Sequence, residues 1–287
     1  MIATETHAAV IVRGTSGGLR HDLRAVRVVW RRELLRFIRN RLRLVTSFVQ
    51  PVLFLLVLGT GMSSLVASSG SVNFKTFIFP GILAMTVLFT ALFSAISIVW
   101  DREFGFLREM LVAPARRGAI VLGKCAGGAT TAVIQGAVML LLAGLVGVPY
   151  APSLLLTLLG EMVLLAIALT ALGVLVASRI TQIESFQAVM QLLVMPMFFL
   201  SGAIFPPSGL PQWLAVLTKL DPLSYAVDPM RRAVFAHVHA SVGLQRRLNA
   251  GISWDGWHLP ISLELGLVSV IAILALLLAI WQFNRVE

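Results

Sequence analysis

The chain has 287 residues, of which 58% are hydrophobic and only 13% are charged. Soluble globular domains carry about 45–50% apolar and about 25% charged residues, so this composition excludes them and indicates a membrane protein. The formal net charge is +10, and the single cysteine, Cys125, excludes a disulfide framework within one chain.

The first predicted element is a basic amphipathic helix over residues 20–43, preceded by a flexible cytoplasmic tail over residues 1–19. Apolar side chains recur along it every three or four positions, and most of its arginines fall on the opposite side. This apolar stripe consists of Leu23, Val26, Trp30, Leu34 and Phe37. We expect the helix to lie in the headgroup plane, with Trp30 as an interfacial anchor, or to receive a cytoplasmic partner as well.

Six apolar runs follow, and each is long enough for a helix that crosses a bilayer, which needs about 20 mostly apolar residues. They predict spans at residues 44–65, 77–99, 122–146, 153–177, 186–205 and 260–282, with a last cytoplasmic tail at 283–287. Most of the 23 lysines and arginines fall before the first span and after the second. Because basic residues favour the cytoplasmic side, both termini are predicted to be cytoplasmic. Nucleic-acid binding is not expected, because no base-stacking aromatics are interleaved with these arginines.

The connection after the second span is longer than a turn requires. Residues 101–114 are predicted to form a short helix that ends at Pro114, with Phe104, Leu107 and Leu111 on one stripe. The flanking charged residues are Asp101, Arg102, Glu103, Arg108 and Glu109. An apolar ridge with a charged rim favours docking into a groove on another protein, and a helix lying on lipid is the alternative.

Residues 206–258, between the fifth and sixth spans, form a predicted outer segment. The run from Leu210 to Leu217 is apolar but too short to cross a membrane. Because backbone at membrane depth must be buried in protein or line a cavity, we predict a short re-entrant or interfacial helix there.

Two motifs imitate functional sites. Gly118 to Lys124 nearly matches a phosphate-binding loop, but Cys125 replaces the required hydroxyl residue and no strand precedes it, so nucleotide binding is not expected. The pair Gly123 and Gly127 is more consistent with close helix packing. The histidines of the outer segment lack the fixed spacing of metal ligands, and no metal site is predicted; they are His237, His239 and His258.

Glu161 is the one acidic residue well inside a predicted span. Placing a carboxylate there costs about 2.5–3.5 kcal/mol, so its side chain should face protein or a wet cavity, or be protonated. A contact in a substrate path and a structural hydrogen bond between helices are both open interpretations.

Together these features resemble the permease subunit of type-2 ABC exporters, the class of daunorubicin-type drug export and polysaccharide export permeases. The resemblance covers nearly the whole chain, and its specific parts are the stretches Asp101 to Arg117 and Leu200 to Tyr225. It implies an all-α integral membrane protein with six transmembrane helices, an N-terminal amphipathic interfacial helix and a short re-entrant outer helix.

The resemblance also implies a half-transporter in the bacterial plasma membrane that moves a drug, lipid or glycoconjugate, with drug export and antibiotic resistance as the expected roles. Two such permeases, identical or different, would pair and bind two separate ATPase subunits that carry ATP and Mg. This chain would then have no catalytic residue, metal or cofactor of its own. Residues 101–114 correspond to the family's coupling helix, and residues 20–43 to its connecting helix. Candidates for the substrate path are Phe89, Phe93, Met190, Met197 and Phe198, with Glu161.

Two other classes of protein are alternatives. A membrane-embedded enzyme would use Glu161 with Asp221 or Asp228, and it needs these groups to converge on one cavity. An ion-coupled secondary transporter would also use Glu161, but the three-plus-three symmetry of such proteins is not visible, since the outer segment has no counterpart after the second span.

Overall fold

The computed structural model describes residues 18–61, 74–105, 116–205, 211–238, 251–254 and 257–286. These residues are almost entirely helical, apart from one short hairpin. The predicted all-α class is thus confirmed for the described part of the chain.

The N-terminal region forms two helices, which divide three residues earlier than the predicted boundary between the helix over 20–43 and the span over 44–65. Helix α1 covers Leu19–Arg39, and α2 covers Arg41–Leu53 and continues through a π-helical turn, Phe54–Leu58. The boundary predicted at residue 43 is wrong, because Asn40 leaves helical geometry, with φ −88° and ψ 75°, and ends α1. Pro51 lies inside α2 and lacks the backbone N–H of a regular helix, which is consistent with the altered turn that follows it.

Helices α3 (Phe74–Ser94) and α4 (Ile96–Glu103) come next and together form one long element. Helix α5 covers Arg117–Leu140 and is followed by a 3₁₀ turn, Ala143–Val146. Helices α6 and α7 cover Pro152–Ala177 and Ile183–Leu200. Pro152 begins α6 at a position where its missing N–H costs nothing.

The outer segment contains more helix than predicted. Helix α8, Gln212–Leu220, confirms the predicted short helix, and α9, Ser224–His237, was missed. A two-stranded antiparallel hairpin pairs β1, Ser253–Trp254, with β2, Trp257–His258. The last helix, α10, covers Ile261–Val286.

Within the described residues, five helical stretches are long and apolar enough to cross a membrane: Leu44–Gly61, Phe74–Glu103, Pro152–Ala177, Ile183–Leu200 and Ile261–Arg285. They coincide with five of the six predicted spans. The remaining prediction, residues 122–146, corresponds to α5, which is 24 residues long but starts and ends earlier. Helix α5 is less apolar because it contains several glycines, Lys124 and Gln135. These residues pack against neighbouring helices and do not face lipid.

Helices α3, α5, α6 and α10 pack together as the centre of the bundle, and α9 packs against α3, α6 and α10. Helix α3 is the most enclosed, with 72% of its membrane window buried, against 17% for α2 and 28% for α7. The first and fifth predicted spans therefore lie at the periphery of this subunit with broad exposed faces.

Helix α1 packs lengthwise against the first turns of α5. A Cβ atom added at Gly123 would lie 2.7 Å from Val29 Cβ, and one at Gly127 would lie 2.6 Å from Glu33 Cβ. The earlier glycine contacts the earlier residue of α1 and the later glycine the later residue, so α1 and α5 run parallel. The predicted close packing at the two glycines is confirmed.

This packing adds a contact that was not predicted for α1. Trp30 Nε1 donates a hydrogen bond to Thr130 Oγ1 at 3.1 Å, so the indole ring is held by α5, and the position of α1 in the headgroup plane stays a prediction. Leu23 of the predicted stripe is exposed, and Val29, outside that stripe, is the buried residue of α1. The glycines of α5 select the docking face of α1, and the periodicity of α1 alone does not contain this information.

Candidate coupling junction and substrate cavity

The last three residues of α4 contact three different parts of the bundle. Asp101, Arg102 and Glu103 each direct a charged group to another helix or helix end. The basic end of the bundle is defined here as the end where α4 and α6 finish and α5 begins.

Asp101 joins α4 to α1 and α5. Its carboxylate is 1% exposed, and Oδ2 lies 2.5 Å from both Lys124 Nζ and Arg32 Nη2. Its other oxygen, Oδ1, lies 3.4 Å from Arg36 Nη2. A buried carboxylate with three cationic partners is strongly tied to them, because removing a partner would leave a charge in a poorly solvated site.

Lys124 is the centre of this charge network. Its ammonium group donates to Ser97 Oγ at 2.9 Å and lies 2.8 Å from Glu33 Oε1, in addition to Asp101. Burial raises the pKa of Glu33, and the charges of Lys124, Arg36 and Arg32 more than offset this, so its pKa lies below the usual range. The lysine of the apparent phosphate loop is therefore fully engaged by carboxylates, which supports the expectation that it binds no nucleotide.

Arg102 and Glu103 satisfy the ends of two other helices. Arg102 Nη1 donates to the backbone oxygens of Ser178 at 3.1 Å and Ile180 at 3.0 Å, where α6 ends. Glu103 Oε2 accepts from the backbone N–H of Ile183 at 2.9 Å, where α7 begins. Each charge has the sign that the neighbouring helix terminus prefers.

The structure places the predicted coupling residues in different environments. The expected position of Asp101 on an exposed rim is wrong, because its carboxylate turns inward to Lys124. Phe104 is 60% exposed and packs on Trp100. The other predicted residues of the ridge, Leu107, Arg108, Glu109 and Leu111, lie outside the described residues, and their roles stay predictions.

The sequence did contain a signal for this junction. Lys124 stands seven residues inside α5, in an apolar stretch where a charge needs a partner. The missing information was which carboxylates meet it, since Glu33 and Asp101 come from helices far apart in the sequence.

A cavity of about 180 Å³ lies between α2, α3 and α5. Phe89 and Phe93, both predicted to line the substrate path, face it as a stacked pair with ring centroids 6.2 Å apart. Uncharged side chains form its lining, namely Phe37, Thr46, Ser47, Gln50, Pro51, Met85, Thr86, Phe89, Thr90, Phe93 and Gln135.

A polar network crosses one wall of this cavity. The Gln135 amide donates to Ser47 Oγ and accepts from Thr90 Oγ1, so it connects α5 to α2 and α3. Hydroxyl and amide groups therefore face the same space as the two phenylalanine rings. This combination suits an uncharged ligand with polar groups on an apolar body.

The candidates on α7 do not line the cavity. Met190 and Phe198 lie on the buried side of α7, and the Phe198 ring meets Phe54 edge-on with centroids 5.9 Å apart. This side of α7 holds the helix against α2 and α3 within the subunit, and the predicted position of these residues on a substrate path stays a prediction. Met197 is half-buried, and the exposed side of α7 carries Leu192 and Phe199 instead.

Glu161 faces protein, as predicted, and lies on the buried side of α6. It does not line the cavity, and its Oε2 atom has no hydrogen-bond partner within the described part of the chain.

A second ionic cluster lies at the end of the bundle opposite the basic end. This end is called the outer end, after the predicted outer segment that it contains. Arg232 Nη2 lies 2.5 Å from Asp228 Oδ2 and 3.1 Å from Glu264 Oε1, and both carboxylates are buried. Asp228 Oδ2 also accepts from the backbone N–H of Ile252 at 3.3 Å. The neighbouring Arg231 turns away, donates to Gly202 O and lies 4.4 Å from the Phe77 ring centroid.

The acids named by the enzyme alternative each have partners of their own. Asp228 is held by Arg232, and Asp221 Oδ1 accepts from the backbone N–H of Leu223 at 3.0 Å in the turn before α9. Burial raises the pKa of Asp221 to about 7, against the opposing hydrogen bonds from Leu223 and Ser224. Among the described residues no group of three or more His, Cys, Asp or Glu side chains could hold a metal ion.

A helical bundle of membrane-spanning length, with charged side chains joining helix ends and an uncharged cavity between helices, is the architecture of a multi-pass membrane protein. The sequence matches the ABC-2 type transporter family over residues 24–235, and the chain belongs to this family. The resemblance noted from the sequence is confirmed at this level.

Relatives of the chain include a transport permease and nodulation proteins. The transport permease ycf38 of Cyanophora paradoxa is 30% identical over 219 residues, which cover 75% of this chain and 74% of the relative. Nodulation protein J of Rhizobium leguminosarum bv. trifolii is 31% identical over 212 residues, 73% of this chain and 80% of its own. Nodulation protein J of Rhizobium meliloti (strain 1021) is 28% identical over 219 residues, with coverages of 75% and 83%.

Proposed function

We propose that this chain is the transmembrane subunit of an ATP-driven exporter, with ATP and Mg bound on a separate ATPase chain. The complex contains two permeases and two ATPase subunits. The observation that carries this proposal is the junction at Asp101, Arg102 and Glu103, which stands where the chain leaves α4 toward the predicted docking ridge.

The junction supports a transmission role through its connections. A displacement of the segment after Glu103 acts on α1 and α5 through Asp101, on the end of α6 through Arg102 and on the start of α7 through Glu103. Four helices are therefore linked to one short stretch of backbone. A partner that moves this stretch on nucleotide binding would move the bundle as a unit.

The substrate we propose is amphipathic, such as a drug, a lipid or a glycoconjugate. The cavity beside Phe89 and Phe93 supports this, because the residues that line it are aromatic, hydroxyl-bearing or amide-bearing and none is charged. Met85 adds an adaptable thioether to the lining.

Pairing and orientation belong to the same proposal. The exposed apolar sides of α2 and α7, with Val49, Leu53 and Leu192 among them, would meet a second permease, identical or different. The basic end would face the cytoplasm of a bacterial cell, since arginines are favoured on that side.

The test compares two acids that lie in or beside the first turn of α7. Glu103→Ala removes the acceptor of the Ile183 N–H, and Glu184→Ala removes an exposed acid from the same helix end. A lost cap costs about 1 kcal/mol of helix stability. Because this loss also loosens the link between α4 and α7, we expect Glu103→Ala to export fewer substrate molecules per ATP than the parent. ATP hydrolysis and uptake of a fluorescent amphipathic dye are measured in inside-out vesicles holding the permease and its co-purified ATPase.

Glu184→Ala should retain the parental ratio of transport to hydrolysis. If no ATPase co-purifies with the chain, the proposed function is wrong. If both alanine variants behave alike, the junction has no transmission role.

A further inference from the structure

A groove runs between the ends of α6 and α10 at the basic end of the bundle, with a volume of about 440 Å³. Its walls are mostly apolar and include Leu175 and Val176 from α6 and Leu278 and Trp281 from α10. We infer that this groove binds one anionic phospholipid, with an acyl chain between the helices and the phosphate at the arginines around its mouth.

The groove continues a lipid-facing surface. The outward side of α10 exposes large apolar side chains on successive turns, among them Ile273, Leu274 and Leu277, within a stretch long enough to cross a membrane. Trp281 lies at the end of this strip, where tryptophan favours the boundary between acyl chains and headgroups. An occupant that enters the groove from this side comes from the bilayer.

Three arginines surround the mouth of the groove. Arg179 lines it directly, Arg285 lies with its guanidinium carbon 4.1 Å from the Trp281 ring centroid, and Arg117 Nη1 donates to Asn284 O at 3.2 Å. None of the three forms an ion pair with an acidic side chain in the described part of the chain, in contrast to Arg116, which pairs with Asp22. Their positive charge is therefore available to a ligand.

The apolar walls and the arginines at the mouth together indicate which ligand fits the groove. A soluble anion would satisfy the arginines and leave the apolar walls unused, and a zwitterionic lipid would fill the groove but bring its own cation to the arginines. An anionic phospholipid matches both surfaces, and each basic residue near a membrane surface attracts such lipid by electrostatics alone. The inference does not depend on what the protein exports.

The test uses the detergent-purified protein with added dioleoylphosphatidylglycerol or dioleoylphosphatidylcholine. We expect native mass spectrometry to show one retained phosphatidylglycerol and a rise of the melting temperature with this lipid and not with phosphatidylcholine. Removing two arginines should weaken phosphatidylglycerol binding by about 30-fold in Arg179→Gln/Arg285→Gln.

The matched control is Arg24→Gln/Arg31→Gln, which makes the same charge change at exposed positions of α1. Leu278→Trp narrows the groove at constant charge and should also lose the retained lipid, so the inference stays testable if the double arginine variant does not fold. Equal binding of the two lipids would overturn the inference. So would an equal loss in the control, or stabilisation by inorganic phosphate as strong as that by phosphatidylglycerol.

Discussion

Each end of the bundle holds a cation between two buried carboxylates from different helices. At the basic end Lys124 lies between Asp101 and Glu33, and at the outer end Arg232 lies between Asp228 and Glu264. The two clusters differ in their surroundings. Arg32 and Arg36 give the basic-end carboxylates further partners, whereas Arg231 turns away from the outer cluster toward Gly202.

The two clusters differ in their balance of charges and in the elements that they join. The basic-end cluster has more cations than carboxylates, and it joins a peripheral helix to the core. The outer cluster has more carboxylates than cations, and it holds α9 and the following hairpin against α10. Loss of the central cation should therefore be tolerated better at the basic end than at the outer end.

The largest expected effect comes from Arg232→Gln. The change leaves Asp228 and Glu264 buried next to each other without a cation and also removes the bond to Leu259 O at 2.9 Å. Breaking a buried ion pair costs about 3–5 kcal/mol, which corresponds to roughly a 10 °C lower melting temperature in detergent.

A double variant tests whether the effect of Arg232→Gln comes from charge. Arg232→Gln/Glu264→Gln removes one carboxylate along with the cation and should regain much of the lost melting temperature. If the double variant is less stable than the single one, the arginine acts by packing rather than by charge.

Lys124→Met should have a smaller effect, because two carboxylates then remain with two arginines, Arg32 and Arg36. Losing hydrogen bonds to charged groups costs about 1.5–3 kcal/mol, measured as a shift of the thermal unfolding transition. The control is Lys219→Met, a change of the same kind on the short outer helix α8. A shift larger than that of Arg232→Gln would contradict the comparison of the two ends.

The smallest effect is expected at Asp221, a buried acid outside both clusters. Because its pKa is raised to about 7 in the fold, the stability it contributes is present at low pH and is lost as the pH rises toward 7. Between pH 6 and pH 7 the parent should lose up to about 1 kcal/mol relative to Asp221→Asn, in which an amide oxygen can still accept from Leu223. Parallel pH profiles of the two proteins, recorded by thermal unfolding, would show that Asp221 does not titrate in this range.

The spans could be predicted from the sequence because lipid demands a continuous apolar length, which uncharged runs reveal directly. Helix α9 could not be predicted in this way. Its charged residues are compensated inside the fold, since Arg232 pairs with Asp228 and Glu264, and Arg231 meets Gly202 O and the Phe77 ring. Such compensation depends on residues distant in sequence, so local hydropathy did not indicate this helix.

The candidate site was predicted unevenly for a similar reason. Phe89 and Phe93 do face a cavity, whereas Met190 and Phe198 pack inside the subunit. In a membrane helix both the lipid-facing and the protein-facing sides are apolar, so the sequence names the residue types but not the side on which they are used. Asp101 was assigned to the surface because its partner Lys124 was not identified.

The docking of α1 on α5 has a consequence for the order of synthesis. Val29 is made about 90 residues before Gly123, so at roughly 5–20 residues per second α1 waits several seconds on the ribosome-bound chain for its partner helix. Asp101, which pairs with Arg32 and Arg36, is made before Gly123, so these ion pairs become available to α1 earlier than the glycines of α5. The close packing of α1 is therefore completed only after α5 has been made.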